Sequence, residues 1–365
     1  MNTDADADTL HAWLATEGLY PSSVREPDPE ALKRLDQLAP ISDAAKDILR
    51  TKGVEMLLVN DVDKQITVFL KRARPTKKQL TLLPRTCGDS TIEYRQGVAK
   101  AIGGAPPQAR GKPFYVVQPA GDDCYACGSS ISLGNCQDAG TLGALVQDLD
   151  GLFYGLSNNH VTGGCNFAKR QMPIVAPGVF DVSPLGFDPI TLGYHERSIP
   201  LVAGVPGTAD IENNLDAAVF KIRDEGKVSS MQGTWYDTPA DVLDPENKMV
   251  VEKVGRTTGH TVGTIFSHTH EPLSVQYDVR GVDYSFSGQV YFSPVYLVVG
   301  KAGQDFSAEG DSGSLVTTVK DGIRYAVGIL IGGAKGQGGL DYTYVLPIRP
   351  VLEKLGVTLV GGHNV

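Results

Sequence analysis

The sequence predicts a mainly β protein with a small α/β domain in front, and three observations carry the prediction. Beyond residue 112 the chain is a series of short runs rich in Val, Ile, Leu, Phe and Tyr, broken by Gly, Pro, Asn and Asp. That is the pattern of strands and turns in a sandwich or barrel. Before residue 112, apolar runs alternate with helical stretches. The length of 365 residues with 41% hydrophobic content suits two or three domains and a sizeable core.

In chain order, "SDAAKDILRTKG" begins with Ser42 as a cap and ends in Gly53, the grammar of a helix. "VEMLLVNDVDKQITVFLKRA" reads as strand, Asn-Asp turn, strand, and "PTKKQLTLLP" as a short helix between prolines. "STIEYRQG" adds one further strand. This front module, residues 1–112, holds a single Cys87 and none of the chemistry sought below, so its expected role is packing or docking. "GGAPPQARGKP" closes it as a linker. One β domain is then expected over 113–235 and another over 236–365, with a closing helix near Arg349 to Leu355.

Charge excludes some partners. The formal net charge is −9, with 17 basic against 15 acidic residues up to Lys112 and 16 against 27 after it. So acidic a surface repels nucleic acid and anionic membrane. The start, "MNTDADADTLHAWLATEG", has no basic n-region or apolar h-region, and no 18 consecutive residues are apolar. A cytoplasmic protein without membrane or nucleic-acid partners is the expectation.

The candidate chemistry begins at "SAEGDSGSLV". Gly310-Asp311-Ser312-Gly313 is ordinary turn composition, yet it also displays one serine between two glycines. A serine hydroxyl attacks a carbonyl only when an imidazole takes its proton and a third group holds that imidazole. Of the seven histidines, His160 has a fitting neighbourhood. "GTLGALVQDLDGLFYGLSNNHVTGG" reads as a strand Thr141 to Gln147, a turn at Asp148 to Gly151, a strand Leu152 to Leu156, and then the histidine. "NNLDAAVFKI" puts Asp216 at the mouth of another strand, where a desolvated carboxylate needs a hydrogen-bond partner. Each residue alone reads equally well as structural. Base, orienting acid and nucleophile in this order, each at a strand edge, point to a Ser-His-Asp set.

On "LSNNHV", "LDAAV" and "EGDSGSL" the chain resembles the chymotrypsin/trypsin superfamily of serine proteases. "VEKVGRTTGHTVGTI", "YLVVG" and the ending "YVLPIRPVLEKLGV" narrow the likeness to a bacterial branch related to plant NARROW LEAF 1. The resemblance implies a chymotrypsin-like double β-barrel of six strands each, and a trypsin-like endopeptidase. His160 would be the general base, Asp216 its orienting acid and Ser312 the nucleophile. The backbone N–H groups of Gly310 and Ser312 would form the oxyanion hole. It also implies a substrate pocket with Phe306 as floor, Asp305 beside it, and Gly332 and Gly333 in the wall strand. An aromatic floor favours an uncharged P1 side chain; Asp305 turned inward would reverse that.

Limited proteolysis of few protein or peptide targets is therefore expected, restrained by the front domain or by self-association as a homo-oligomer. The rival reading is a catalytically silent protease-like recognition scaffold. No cofactor is expected. Cys124, Cys127, Cys136 and Cys165 contain one C-x₂-C pair, but their later spacing is not that of a second zinc knuckle. A reducing cytosol argues against disulfides, leaving free thiols as the expectation. "KAIGG", Lys100 to Gly104, resembles the new N-terminus of activated zymogens, with Asp311 in the matching acid position. It reads equally as linker, and an intact chain that is already competent is expected.

Overall fold

The computed structural model describes residues 2–20, 26–35, 38, 41–97, 107–185, 188–207, 209–301, 304–335 and 341–365. The front domain opens with helix α1 (Thr3–Thr16), whose Leu10, Trp13 and Leu14 are buried. Helix α2 (Asp43–Lys52) starts where Ser42 Oγ accepts from Ala45 N, and stops at Gly53 with φ +70°. Strands β1 (Val54–Asn60) and β2 (Gln65–Leu70) form the expected hairpin, and β3 (Ser90–Gln96) joins β2 in parallel. The short helix Lys77–Leu80 is fixed by a capping box of Thr76 and Gln79. Helix α1 is an addition to the elements read from the sequence.

The first barrel is built around β4 (Ser130–Leu133), β5 (Ala144–Gln147), β6 (Phe153–Ser157), β7 (Pro173–Ala176), β8 (Ile190–Ser198) and β9 (Ala218–Ile222). Its sheet stays open, with β4 near one edge and the C-terminal strand Thr358–Leu359 pairing β5 at the other. Strand Tyr236–Asp237 turns back on Val228–Gln232, so residue 235, expected to close the first barrel, falls inside a hairpin.

Six strands make the second barrel: β10 (Val250–Gly255), β11 (Gly259–Thr269), β14 (Tyr296–Gly300), β15 (Leu315–Lys320), β16 (Ile323–Lys335) and β17 (Asp341–Pro347). Pairing of β10 with β11 closes it. Between β11 and β14 the chain makes a separate two-stranded hairpin, β12 (Leu273–Arg280) with β13 (Ser285–Phe292). Helix α3 (Ile348–Leu355) follows β17, close to its expected span, and carries the chain back to the first barrel. The fold is thus mainly β, a chymotrypsin-like double barrel behind a small α/β domain, with the first barrel left as a half-barrel.

The front domain is not a bead on a string. Strand β1 pairs with β11, Leu58 opposite Thr269 and Val59 opposite His268, so one ten-stranded sheet runs through both domains. Met56, Leu58 and Phe69 lie in the same apolar cluster as Leu145 and Phe220 of the first barrel and Leu297 and Leu346 of the second. Among the described residues no helix is long and apolar enough to cross a membrane. The four clustered thiols do not converge. Cys124 donates to Gly226 O, Cys127 to Ser229 O and Cys136 to Arg280 O; Cys165 is buried within electrostatic reach of Cys136 but not of the other two.

Candidate active site

Strand pairing brings the first two candidates together. Strands β6 and β9 run antiparallel with Ser157 opposite Ala218, so the residues just after β6 lie beside those just before β9. His160 therefore meets Asp216 across 56 residues of sequence. Nδ1 of His160 lies 2.5 Å from Asp216 Oδ2, and the His160 backbone N–H donates to Oδ1 at 3.0 Å. Asn158 fixes the acid from behind, its Nδ2 donating to Asp216 O at 2.6 Å. Asp216 is fully buried, whereas the His160 side chain keeps 13% of its exposure.

Burial pulls the His160 pKa down. The charge and hydrogen bond of Asp216, with Asp138 adding to them, outweigh burial and leave it above the ordinary value.

Ser312 enters from the loop between β14 and β15. Its carbonyl accepts from Thr141 N at 2.9 Å, and Thr141 Oγ1 donates to Gly310 O at 2.9 Å, so the first barrel holds the second barrel's nucleophile loop. Gly313 allows this approach: φ is +94°, and a Cβ there would lie 2.5 Å from Thr141 O. Ser312, His160 and Gly310 line one cleft of about 390 Å³. No hydrogen bond joins His160 Nε2 to Ser312 Oγ.

Peptide geometry directs the expected oxyanion donors. The carbonyl of Glu309 turns inward to Thr257 Oγ1 at 2.6 Å, and that of Asp311 turns inward to Ser314 Oγ at 2.6 Å. In a trans peptide the N–H points opposite to the C=O. The N–H groups of Gly310 and Ser312 therefore face away from these anchors and make no hydrogen bond among the described residues. Gly310 takes φ +91°, a conformation that favours glycine.

The acid before the nucleophile has an internal cation. Lys253 Nζ lies 3.0 Å from Asp311 Oδ2, with both side chains fully buried. Thr258 Oγ1 and Ala308 N donate to the same oxygen at 2.6 and 3.0 Å, and Thr257 N and Thr258 N to Oδ1. Burial pushes Asp311 up, but Lys253 and these donors hold it below the usual carboxylate range. Burial likewise lowers Lys253, and Asp311 restores only part. Arg256 next to it is bound by Asp181, with Nε donating to Oδ2 at 2.7 Å. "KAIGG" lies outside the described residues.

The pocket corrects one expectation. Phe306 is not a floor: its ring is buried in the barrel core with Val251, Ile265, Val298 and Val345, and it does not line the cleft. The chain bends between Asp305 and Ser307, sending residue 306 inward and exposing its neighbours. Asp305 does line the cleft, where it pairs with Arg110 at 3.0 Å. Deeper in, Ser307 and Thr343 bond through their hydroxyls at 2.6 Å. Gly332 and Gly333 lie along the same cleft, and a Cβ at Gly332 would meet nothing within 4 Å.

Two residues the sequence reading passed over belong to the site. Tyr277 donates its hydroxyl to Asp216 Oδ2 at 2.7 Å, yet in β12 it shares the buried face with Leu273, Val275 and Val279 like any core residue. Lys253 left a trace: in β10 it shares the inward face with Val251, an improbable place for an unpaired lysine.

Residues 220–348 match the family described as the Nal1 C-terminal domain. Over 248 residues the chain is 29% identical to Protein NARROW LEAF 1 of Oryza sativa subsp. japonica, a span of 61% of this chain and 38% of that protein. The chain thus spans well under half the length of this curated relative. Among solved structures it is similar to Thermobifida fusca Protease A, with 18% identity and TM-score 0.38 over 65% of this chain and 100% of that one. It is also similar to a glutamic acid specific serine protease, with 20% identity and TM-score 0.41 over 64% and 100%. The stretch that matches the Nal1 C-terminal domain, 220–348, contains the nucleophile loop and all of the closed barrel, and over 61% of its length the chain is similar to NARROW LEAF 1.

Proposed function

We propose that the chain is a serine endopeptidase working through an acyl-enzyme. The observation that carries this reading is the His160–Asp216 pair on one side of a cleft, with Ser312 and two outward backbone N–H groups on the other. His160 Nε2 takes the Ser312 proton as Oγ attacks the carbonyl, then returns it to the leaving amine. Asp216 keeps Nδ1 protonated and balances the imidazolium. The N–H groups of Gly310 and Ser312 receive the oxyanion. Lys253 supplies Asp311 with its cation in the intact chain, which supports competence without a cut near Lys100.

For substrate, the pocket favours an uncharged, small or apolar P1 residue. Asp305 spends its charge on Arg110, and the two hydroxyls deeper in are satisfied by each other. Around the cleft stand Asp138, Asp278, Asp305, Glu309 and Asp341 with no lining Lys or Arg among the described residues, which disfavours acidic peptides. The five unpaired cysteines support a reducing compartment such as the cytoplasm. Limited proteolysis of a few proteins fits so narrow a site.

The absent Nε2–Oγ hydrogen bond favours a second reading, the silent recognition scaffold. A fluorophosphonate probe separates the two. The intact protein should label at Ser312 and the Ser312→Ala variant should not, with turnover of a responsive peptide lower by about 10⁶. Equal labelling of both proteins would end the endopeptidase reading.

A further inference from the structure

We propose that Tyr277 is a positioning residue of the active site, through which a hairpin outside both barrels sets how strongly Asp216 holds His160. The kinetic part of this proposal rests on the endopeptidase reading; the geometric part does not. Asp216 Oδ2 serves two donors at once, His160 Nδ1 at 2.5 Å and the Tyr277 hydroxyl at 2.7 Å, while Oδ1 takes the His160 backbone N–H. All three groups lie at the fully buried carboxylate, where a hydrogen bond to a charge counts for more than in water.

The Tyr277 ring also stands against the imidazole, with centroids 5.0 Å apart and planes 33° apart, so it limits rotation of the base. Burial, then the charge of Asp216, pushes the phenol well above its ordinary range, so it stays a donor at every working pH. The hydroxyl therefore draws part of the carboxylate's charge away from His160. Without it, all of that charge would fall on Nδ1–H, and the imidazolium would be favoured further.

Docking of the hairpin is what delivers this hydroxyl. Val275, Tyr277, Val279 and Phe292 of β12 and β13 are buried in the main apolar cluster, so the hairpin is held by the core it shares with both barrels. The other titratable groups facing the pair are Asp138, from the segment after β4, and Cys165, from the loop after His160; Asp278 lines the same cleft. None of them is substituted in Tyr277→Phe.

The test is Tyr277→Phe, which keeps the ring and removes only the oxygen. Tyr284→Phe is the control: it lies in the turn of the same hairpin, stacks on Phe167, and its hydroxyl has no hydrogen-bond partner among the described residues. Titration of the His160 Cε1–H by NMR should give a higher pKa in Tyr277→Phe, by about half to one unit, and no change in Tyr284→Phe. The acidic limb of kcat/KM should move the same way, with activity on that limb lower by up to about tenfold and KM little changed. Should Tyr277→Phe not fold, 3-fluorotyrosine placed at position 277 donates more strongly and should move both readouts to lower pH. An unmoved His160 titration in the folded variants overturns the proposal. A wild type that ignores the fluorophosphonate probe overturns the endopeptidase reading instead, and the NMR titration still decides Tyr277.

Discussion

His160 is held between opposed effects, and its pH dependence follows from which one wins. Burial favours the neutral ring, but Asp216 and Asp138 raise the pKa above the ordinary value near 6.5. A general base must be neutral to take the Ser312 proton. Activity should therefore rise with pH through a midpoint above 6.5, rather than at or below it, in a kcat/KM profile. Asp138→Asn removes one of the two charges that raise His160, so the midpoint should fall; an unchanged profile would show that Asp138 is too well screened to matter. The raised pKa also stabilises the folded state below the unfolded value, a contribution lost as pH rises through the folded value. At this scale the meeting of His160 with Asp216, and of Ser312 with His160 in one cleft, was legible because residue types, order and strand-edge positions all agreed. Tyr277 was not, since an alternating strand hides which buried ring carries a useful hydroxyl. Phe306 was misplaced because spacing from the nucleophile does not say which way a bend turns a side chain.

Among the elements, β10 and the nucleophile loop are joined by the buried pair of Lys253 and Asp311. Removing one partner of such a pair leaves the other charge without compensation, which typically costs about 3–5 kcal/mol, while replacing both is often close to neutral. Lys253→Met should accordingly lower stability by about that amount, and adding Asp311→Asn should recover much of the loss, in urea titrations of the single and double variants. Strict additivity of the two changes would mean that the threonine and backbone donors, not Lys253, hold the carboxylate. The sequence announced this pair only through an inward lysine in an apolar strand. Individual strands and the closing helix were readable from alternation and caps, because those signals are local. The separate hairpin β12–β13, the open first sheet and helix α1 were not, because what a strand pairs with is settled by distant residues.

Across the whole molecule, the front domain continues the double barrel rather than merely preceding it. Strand β1 extends the second barrel's sheet beside β11, and His270 N donates to Leu57 O at 3.1 Å beyond the paired residues. Phe69 stacks edge-on against Tyr342 at 5.8 Å, and Tyr342 is itself a lining residue of the cleft. Met56, Leu58 and Phe69 would leave their apolar contacts uncovered if the domain were removed. A chain starting at Pro107 would thus present an unpaired strand segment next to an apolar patch, the combination that drives association of sheet edges. That fragment should elute as aggregate or oligomer in size-exclusion chromatography, whereas the full chain should melt in a single calorimetric transition because one sheet runs through both parts. A monodisperse, equally stable fragment from Pro107 would show the front domain to be a separable module, as the linker composition alone suggests. The sheet continuity argues otherwise, since separating the two parts breaks main-chain pairing and uncovers apolar side chains in the same step.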